Sequence, residues 1–281
     1  MAAKIIDGKM RAKEVREGLK NEVLALKSSG TIPKLSVILV GEDPASHIYV
    51  SNKEKACSEV GIASEIHRLP SNTREIDLMK LVAKLNDDKN VHGILVQLPL
   101  PDQISEENIL NSILPNKDVD GLGAQNMGML VKGEGDPFIP CTPQGIIDLI
   151  KTTGIEIKGK NAIVVGRSNI VGKPAAILLL GQHATVTICH SRTLNLKEII
   201  SKADILVAAI GKPRLITGDM IKEGAAVIDV GTTRTAKGWE GDVDFDSAKE
   251  KAGYLTPVPG GVGPMTIAML LKNTIKAASK K

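Results

Sequence analysis

Aromatic side chains are almost missing from this chain of 281 residues, which has one Trp, two Tyr and two Phe. Its hydrophobic share of 42% must therefore come mainly from Val, Ile, Leu and Ala. Aliphatic runs of that kind suit buried parallel strands better than an antiparallel sandwich. Cysteine is scarce too. Cys57, Cys141 and Cys189 stand far apart with no CxxC or HExxH spacing, which argues against a metal site and fits a reducing compartment. No run of about 18 apolar residues occurs, and the opening MAAKIIDGKMRAKEV lacks the apolar core of a secretory leader. A cytoplasmic protein that does not enter a membrane is expected. Charge of one sign is lacking as well: 36 basic residues face 32 acidic ones, a net of +4. Without a basic cluster interleaved with aromatics, nucleic-acid binding has no support. The mild positive bias suits small anionic ligands.

What is present is alternation. KLSVILVG (34–41), SEIHRL (64–69) and VHGILVQLPLP (91–101) have the length and aliphatic content of strands. Between and after them lie helical patterns at 46–61, 73–87 and 104–114. The first of these reads as capped by Ser46 and closed by Gly61. A polar, glycine-rich stretch from Asn116 to Asp136 interrupts the pattern. Beyond CTPQGIIDLI (141–150) it resumes with NAIVVG, ATVTICHS, ADILVAAIG and AAVIDVGTT, joined by helices after Pro174 and around 196–202. An apolar helix from about Pro264 to Ala278 closes the chain. Strands alternating with helices predict βαβ units and parallel sheets. The expected fold is α/β: two α/β domains, one of residues 1–140 plus 264–281 and one of residues 141–263, the second a Rossmann-like parallel sheet.

NAIVVGRSNIVGKPAAILLL reads strand, loop, helix, with Gly166 closing the strand and Pro174 in the first helical turn. Free amides at such a helix start hold phosphate. The loop departs from GxGxxG, so it is weak alone, and an ordinary βα turn is the plainer reading. The second strand adds to it. A nucleotide unit selective for NAD ends that strand with Asp or Glu, which bonds the ribose 2′-hydroxyl. Here the strand ends His190, Ser191, Arg192. The missing carboxylate, with Arg192 and with Arg167 in the first loop, suits a 2′-phosphate and hence NADP. His190 is given no chemical role. Gly231, Thr232 and Thr233 end the fourth strand, where ligands of open sheets sit.

In the first half, Tyr49 and Lys53 fall four apart on one helix face. A ring that stacks on a flat heterocycle and an amine that moves protons would result, although this spacing is also that of a solvated stripe. Gln97 interrupts an apolar strand and needs partners, as a structural link or as a site residue. Asp118 and Asp120 stand two apart in a turn that one of them caps, too few carboxylates for a metal. PVPGGVGPMT (257–266) packs three prolines and three glycines into ten residues. It reads as a stiff loop presenting backbone to a ligand, or as a tight interdomain turn.

YVSNKEKA, GILVQLPLP, KDVDG, FIPCTPQG, GRSNIVGKP, VIDVGTT and TPVPGGVGPMT occur in this order along the chain. With them the chain resembles, end to end, the bifunctional 5,10-methylenetetrahydrofolate dehydrogenase/5,10-methenyltetrahydrofolate cyclohydrolase family. The resemblance implies oxidation of the methylene bridge with NADP, then hydrolysis of the methenyl product to 10-formyltetrahydrofolate. It implies two domains around a cleft that holds the active site, and a homodimer. Tyr49 would stack on the folate, Lys53 would be the key catalytic residue and Gln97 would hold it, flanked by Val96 and Leu98. Asp120 would bind the pterin, and Pro259, Gly260, Gly261, Val262 and Gly263 would line the substrate site. Gly166, Arg167, Ser168, Ser191, Arg192 and Thr232 would hold the cofactor, and no metal is implied. The family commonly places Ile-Asn where Thr232 and Thr233 stand, which leaves side-chain contacts at the nicotinamide end open. A dehydrogenase without cyclohydrolase activity and a non-catalytic NADP sensor are the competing readings.

Overall fold

The computed structural model describes residues 2–236 and 238–280. In chain order the elements are β1 (Lys4–Ile5), α1 (Gly8–Ser28), β2 (Lys34–Val40), α2 (Pro44–Val60), β3 (Ala63–Leu69), α3 (Glu75–Asp87), β4 (Gly93–Val96), α4 (Glu106–Ser112), α5 (Ala124–Lys132) and α6 (Cys141–Thr152). There follow β5 (Asn161–Val165), α7 (Gly172–Gly181), β6 (Thr185–Cys189), α8 (Leu196–Ile200), β7 (Ile205–Ala208), β8 (Ala226–Asp229), β9 (Thr233–Thr235), β10 (Gly238–Glu240), α9 (Phe245–Lys249), β11 (Tyr254–Leu255) and α10 (Val262–Ser279). The chain divides into two compact units, one of residues up to Ala12 with Thr142–Thr266, the other of Lys13–Cys141 with Ile267–Lys281.

The second of these units carries a parallel three-stranded sheet in the order β3-β2-β4. The aliphatic run of β2 makes it central: from Leu35 to Val40 every side chain is buried. Leu78, Val82 and Leu85 of α3 and Ile109 of α4 pack with Ile38, Ile94 and Val96 in one core. Ile94 also bridges in parallel to Asp118, which draws the turn after α4 to the sheet.

The other unit is built on a parallel six-stranded sheet, order β1-β11-β8-β7-β5-β6. Strand β5 lies between β6 and β7, so the chain leaves it in opposite directions and a switch point opens at its carboxyl end. β7 and β8 are buried on both faces, as their aliphatic sequences require.

The elements differ from the sequence reading in five places. Helix α2 is capped by Asp43, whose carboxylate accepts from the Ser46 amide at 2.7 Å, with Pro44 opening the first turn; Ser46 is inside the helix. Gly61 closes it as expected, in the left-handed region. The residues up to Ala12 belong with the six-stranded unit instead of the first half: β1 pairs with β11 and the Ala3 amide donates to Lys249 O. Helix α1 was not foreseen; of its apolar side chains it buries only Ala12, Leu19 and Val23 fully, among many charges. Helix α5 lies within the polar stretch at 116–136, and α10 starts at Val262, two residues before Pro264.

Candidate active site

Helix α2 directs Lys53 and Cys57 inward, and Tyr49, one turn before Lys53, is partly exposed. Lys53 is 9% exposed, and its Nζ donates to Gln97 Oε1 at 2.8 Å. Gln97 follows β4 directly. Its backbone amide donates to Ile38 O at 2.9 Å, and its side-chain Nε2 donates to Leu98 O at 2.7 Å. The carboxamide is thus fixed at both ends, with its oxygen turned to the lysine. Val96 is buried beneath this corner and Leu98 is partly exposed. Burial pushes the Lys53 ammonium below the ordinary lysine value, while Asp120, Cys141 and Cys57 oppose that shift. Gln97 accepts a hydrogen bond without adding charge, so it orients the amine and leaves it free to lose a proton.

The two aspartates of KDVDG divide their work. Asp118 is buried and accepts from the amides of Gly121, Leu122 and Gly123 and from Asn126 Nδ2. It is the turn cap. Asp120 is partly exposed, and its charge is felt at Lys53 and at Cys141. Cys141 is buried at the start of α6; its thiol donates to Val119 O at 3.4 Å, and burial first, then Asp120, pushes its pKa up. The sequence reading gave Cys141 no chemical role, and overlooked Asn126 and Asn273. The available signal was a polar residue set inside an otherwise apolar helix, as Asn273 is in α10.

In the six-stranded unit, Gly166 ends β5 with φ +132°, and a Cβ there would lie 2.0 Å from Ala209 O. Only glycine allows the loops after β5 and β7 to touch in this way. Ser168 Oγ accepts from the amides of Val171 and Gly172 at 3.2 and 3.3 Å, which caps the start of α7. Arg167, Ser191, Arg192 and Thr232 are exposed, and His190 is structural: its Nδ1 accepts from the Arg192 amide at 3.1 Å. These residues fit a phosphorylated dinucleotide. The βα turn is closed by glycine, and the end of β6 offers arginine in place of an acid.

Pro259–Gly263 belong to this same unit. Gly260 has φ +114° and its carbonyl accepts from the Lys9 amide at 3.0 Å. A Cβ on Gly8 would lie 1.8 Å from Gly261 O, so part of the close approach seen in the glycines is to the start of α1. Pro259 and Gly263 are exposed, and Gly260, Gly261 and Val262 are buried. Tyr49, Lys53, Gln97 and Asp120 therefore gather in one unit, and the nucleotide residues with the proline–glycine loop lie in the other. Among the described residues there is no cluster able to hold a metal ion and no helix long and apolar enough to cross a membrane.

A parallel sheet with a glycine-closed crossover, joined to a unit that buries an amine on a neutral carboxamide, defines a two-domain, nicotinamide-nucleotide-dependent α/β enzyme. Residues 140–281 match the family model for the tetrahydrofolate dehydrogenase/cyclohydrolase NAD(P)-binding domain, and residues 6–120 match the catalytic domain of the same family. The chain belongs to the tetrahydrofolate dehydrogenase/cyclohydrolase family. It is 60% identical over 281 residues to the bifunctional protein FolD of Moorella thermoacetica, covering 100% of both chains. The crystal structure of the bifunctional FolD enzyme of Campylobacter jejuni superposes with a TM-score of 0.96 at 48% identity, covering 99% of each chain. FolD of Trypanosoma brucei, solved with NADP cofactor and inhibitor, gives 0.95 at 42% identity, covering 100% of this chain and 98% of that one. The protein is a methylenetetrahydrofolate dehydrogenase and methenyltetrahydrofolate cyclohydrolase.

Proposed function

We propose that Lys53 is the proton-transfer residue of the cyclohydrolase step and works as a neutral amine held by Gln97. The observation that carries this reading is the 2.8 Å bond from a buried Lys53 Nζ to an uncharged acceptor. A bound nicotinamide ring supplies the hydride acceptor, which leaves the bridging carbon of the folate as a resonance-stabilised cation. An ammonium beside that cation is repelled, so both burial and substrate favour the neutral amine. The amine takes a proton from water as the water oxygen bonds to the cationic carbon. The resulting ammonium gives the proton to N5 as the N5–carbon bond breaks. The hydroxyl proton leaves to solvent as the formyl carbonyl forms. One water is consumed and one proton is released, and the charge balances.

Tyr49, Asp120 and the 259–263 loop bind folate in this reading, Asp120 through its partly exposed carboxylate. Gly166, Arg167, Ser168, Ser191, Arg192 and Thr232 hold NADP, with Arg192 as the partner of the 2′-phosphate. The Lys13–Cys141 unit is the folate-binding catalytic domain. The chain acts in the cytoplasm as a homodimer. Supporting the dimer, β6 ends the six-stranded sheet and leaves Ile188 41% exposed, an edge of the kind that another chain covers.

Lys53→Met tests the assignment. Methenyltetrahydrofolate decay should fall to its spontaneous rate while NADP binding by calorimetry stays within twofold of wild type. Hydrolysis persisting at the wild-type rate would remove Lys53 from the mechanism.

A further inference from the structure

We propose that Asp242 is a positioning residue for the dehydrogenase half, setting the loops after β7 and β8 into the shape that receives the nicotinamide nucleotide. The proposal rests on the assignment of the six-stranded unit to that cofactor. Asp242 lies between β10 and α9 and is 0% exposed. Its Oδ2 accepts from the amides of Ile210 and Gly211 at 2.5 and 3.0 Å, and its Oδ1 accepts from Lys212 at 2.9 Å. Three successive amides of the loop after β7 thus wrap one carboxylate, the geometry of an anion nest filled from within.

The loop after β8 is bound into the same knot. The Asp242 amide donates to Asp229 Oδ1 at 2.9 Å, the Gly231 amide donates to the same oxygen at 3.0 Å, and Val243 donates to Asp229 Oδ2 at 2.9 Å. A Cβ on Gly231 would lie 2.3 Å from Asp242 Oδ1, so the carboxylate sits directly against the backbone beside Thr232. Six backbone amides are therefore fixed by two buried carboxylates. Buried carboxyl oxygens that accept from backbone amides dictate backbone position, because a buried amide that loses its acceptor carries the full desolvation penalty.

The location gives the knot its functional meaning. Loops after β5, β7 and β8 leave the carboxyl edge of the sheet around its switch point, where open α/β sheets bind ligands. Ala209, the residue before this nest, is the one whose carbonyl abuts Gly166 in the phosphate-binding turn. A shift of residues 210–212 is thus passed to that turn through contacting backbone.

The test uses the full chain and exploits its two activities. Asp242→Asn keeps the shape and removes acceptor capacity; Gly231→Ala displaces the carboxylate by a separate route. Both should raise the NADP dissociation constant, read by calorimetry, by tenfold or more, while methenyltetrahydrofolate hydrolysis stays within twofold of wild type. Equal loss of both activities would mean a merely structural role, and unchanged NADP affinity in either folded variant would also overturn the proposal. A measurement without variants stands beside these: hydrogen exchange on the wild-type chain should slow at residues 210–212 when NADP is added, and no change there overturns the idea. Calorimetry and exchange need no turnover, so a wild-type chain that binds NADP but lacks dehydrogenase activity would undo the activity reading and leave this proposal still measurable.

Discussion

Asn273 Nδ2 donates to the carbonyl of Val119 at 2.8 Å and, from the same nitrogen, to that of Ile139 at 3.1 Å. One side chain of the last helix therefore ties together the two backbone segments that carry Asp120 and Cys141. Both of these residues act electrostatically on Lys53. Removing the amide takes the Asn273 donor from Ile139 O and leaves Val119 O with the weak, long bond from the Cys141 thiol. Asn273→Ala should destabilise the chain by about 2 kcal/mol, the usual cost of orphaned buried polar groups. Denaturant unfolding checks this. The variant should also lose cyclohydrolase activity before it loses NADP affinity, since the tie lies within the lysine-bearing unit.

The nucleotide turn makes a sharper steric prediction. At Gly166 an added methyl would meet Ala209 O at 2.0 Å, and φ of +132° is closed to other residues. Gly166→Ala must push apart the loops after β5 and β7. Dehydrogenase activity should fall at least a hundredfold through loss of NADP binding, and methenyltetrahydrofolate hydrolysis should survive. Parallel assays of the two steps decide it.

Much of this was legible in the sequence, for reasons that differ from residue to residue. The buried strands announced themselves as aliphatic runs, because a strand covered on both faces has no room for alternation. Gln97 stood out as an amide in an apolar run that needs a partner, but only the family resemblance joined it to Lys53; the 2.8 Å bond is that partnership. Helix α1 escaped because its apolar stripe is thin and most of its surface is charged. Helix α5 escaped because Asp118 and Asn126, distant in pattern but close in space, supply the bonds that hold its start. The N-terminal strand could not be assigned to its sheet from two residues; its partner lies some 250 positions away in β11. Asp229 and Asp242 drew no notice in the sequence, since nothing local reveals that amides of residues 210–212, 242 and 243 fill their oxygens.

Asp229 makes a prediction about stability and pH. Burial pushes its carboxyl up to about 7 from an ordinary value near 3.8, against the pull of three backbone amides. The native chain then keeps a proton that the unfolded chain has already released. This contribution to stability is fully present below about pH 4 and is lost as pH rises through 7. Asp229→Asn carries no titrating proton, so the stability difference between wild type and variant should drift against wild type between those limits. Thermal unfolding of both at pH 4.5, 6 and 8 measures the drift, and a constant difference would contradict it.

Cofactor choice is tested at the end of β6. Arg192 is exposed beside Ser191, where an NAD-selective sheet would carry an acid. A guanidinium there acts only on a 2′-phosphate. Arg192→Ser should lower kcat/KM for NADP by ten- to a hundredfold and leave that for NAD within threefold. Equal effects on both cofactors would place the specificity elsewhere.

The neutral-amine mechanism has a pH signature of its own. With Lys53 acting as proposed, without its extra proton, the hydrolysis rate should climb with pH through the lowered pKa that burial imposes, then level off. Gln97→Glu puts a carboxylate where the carboxamide oxygen now accepts from Nζ at 2.8 Å. An anion at that distance holds the proton on the amine and moves the rising limb to higher pH. At neutral pH the variant should be slower by an order of magnitude or more, and it should recover part of that loss above pH 9. Gln97→Leu, which adds no charge, should lose activity without shifting the limb. If both variants shift it equally, Gln97 governs the lysine by burial and not by its uncharged bond.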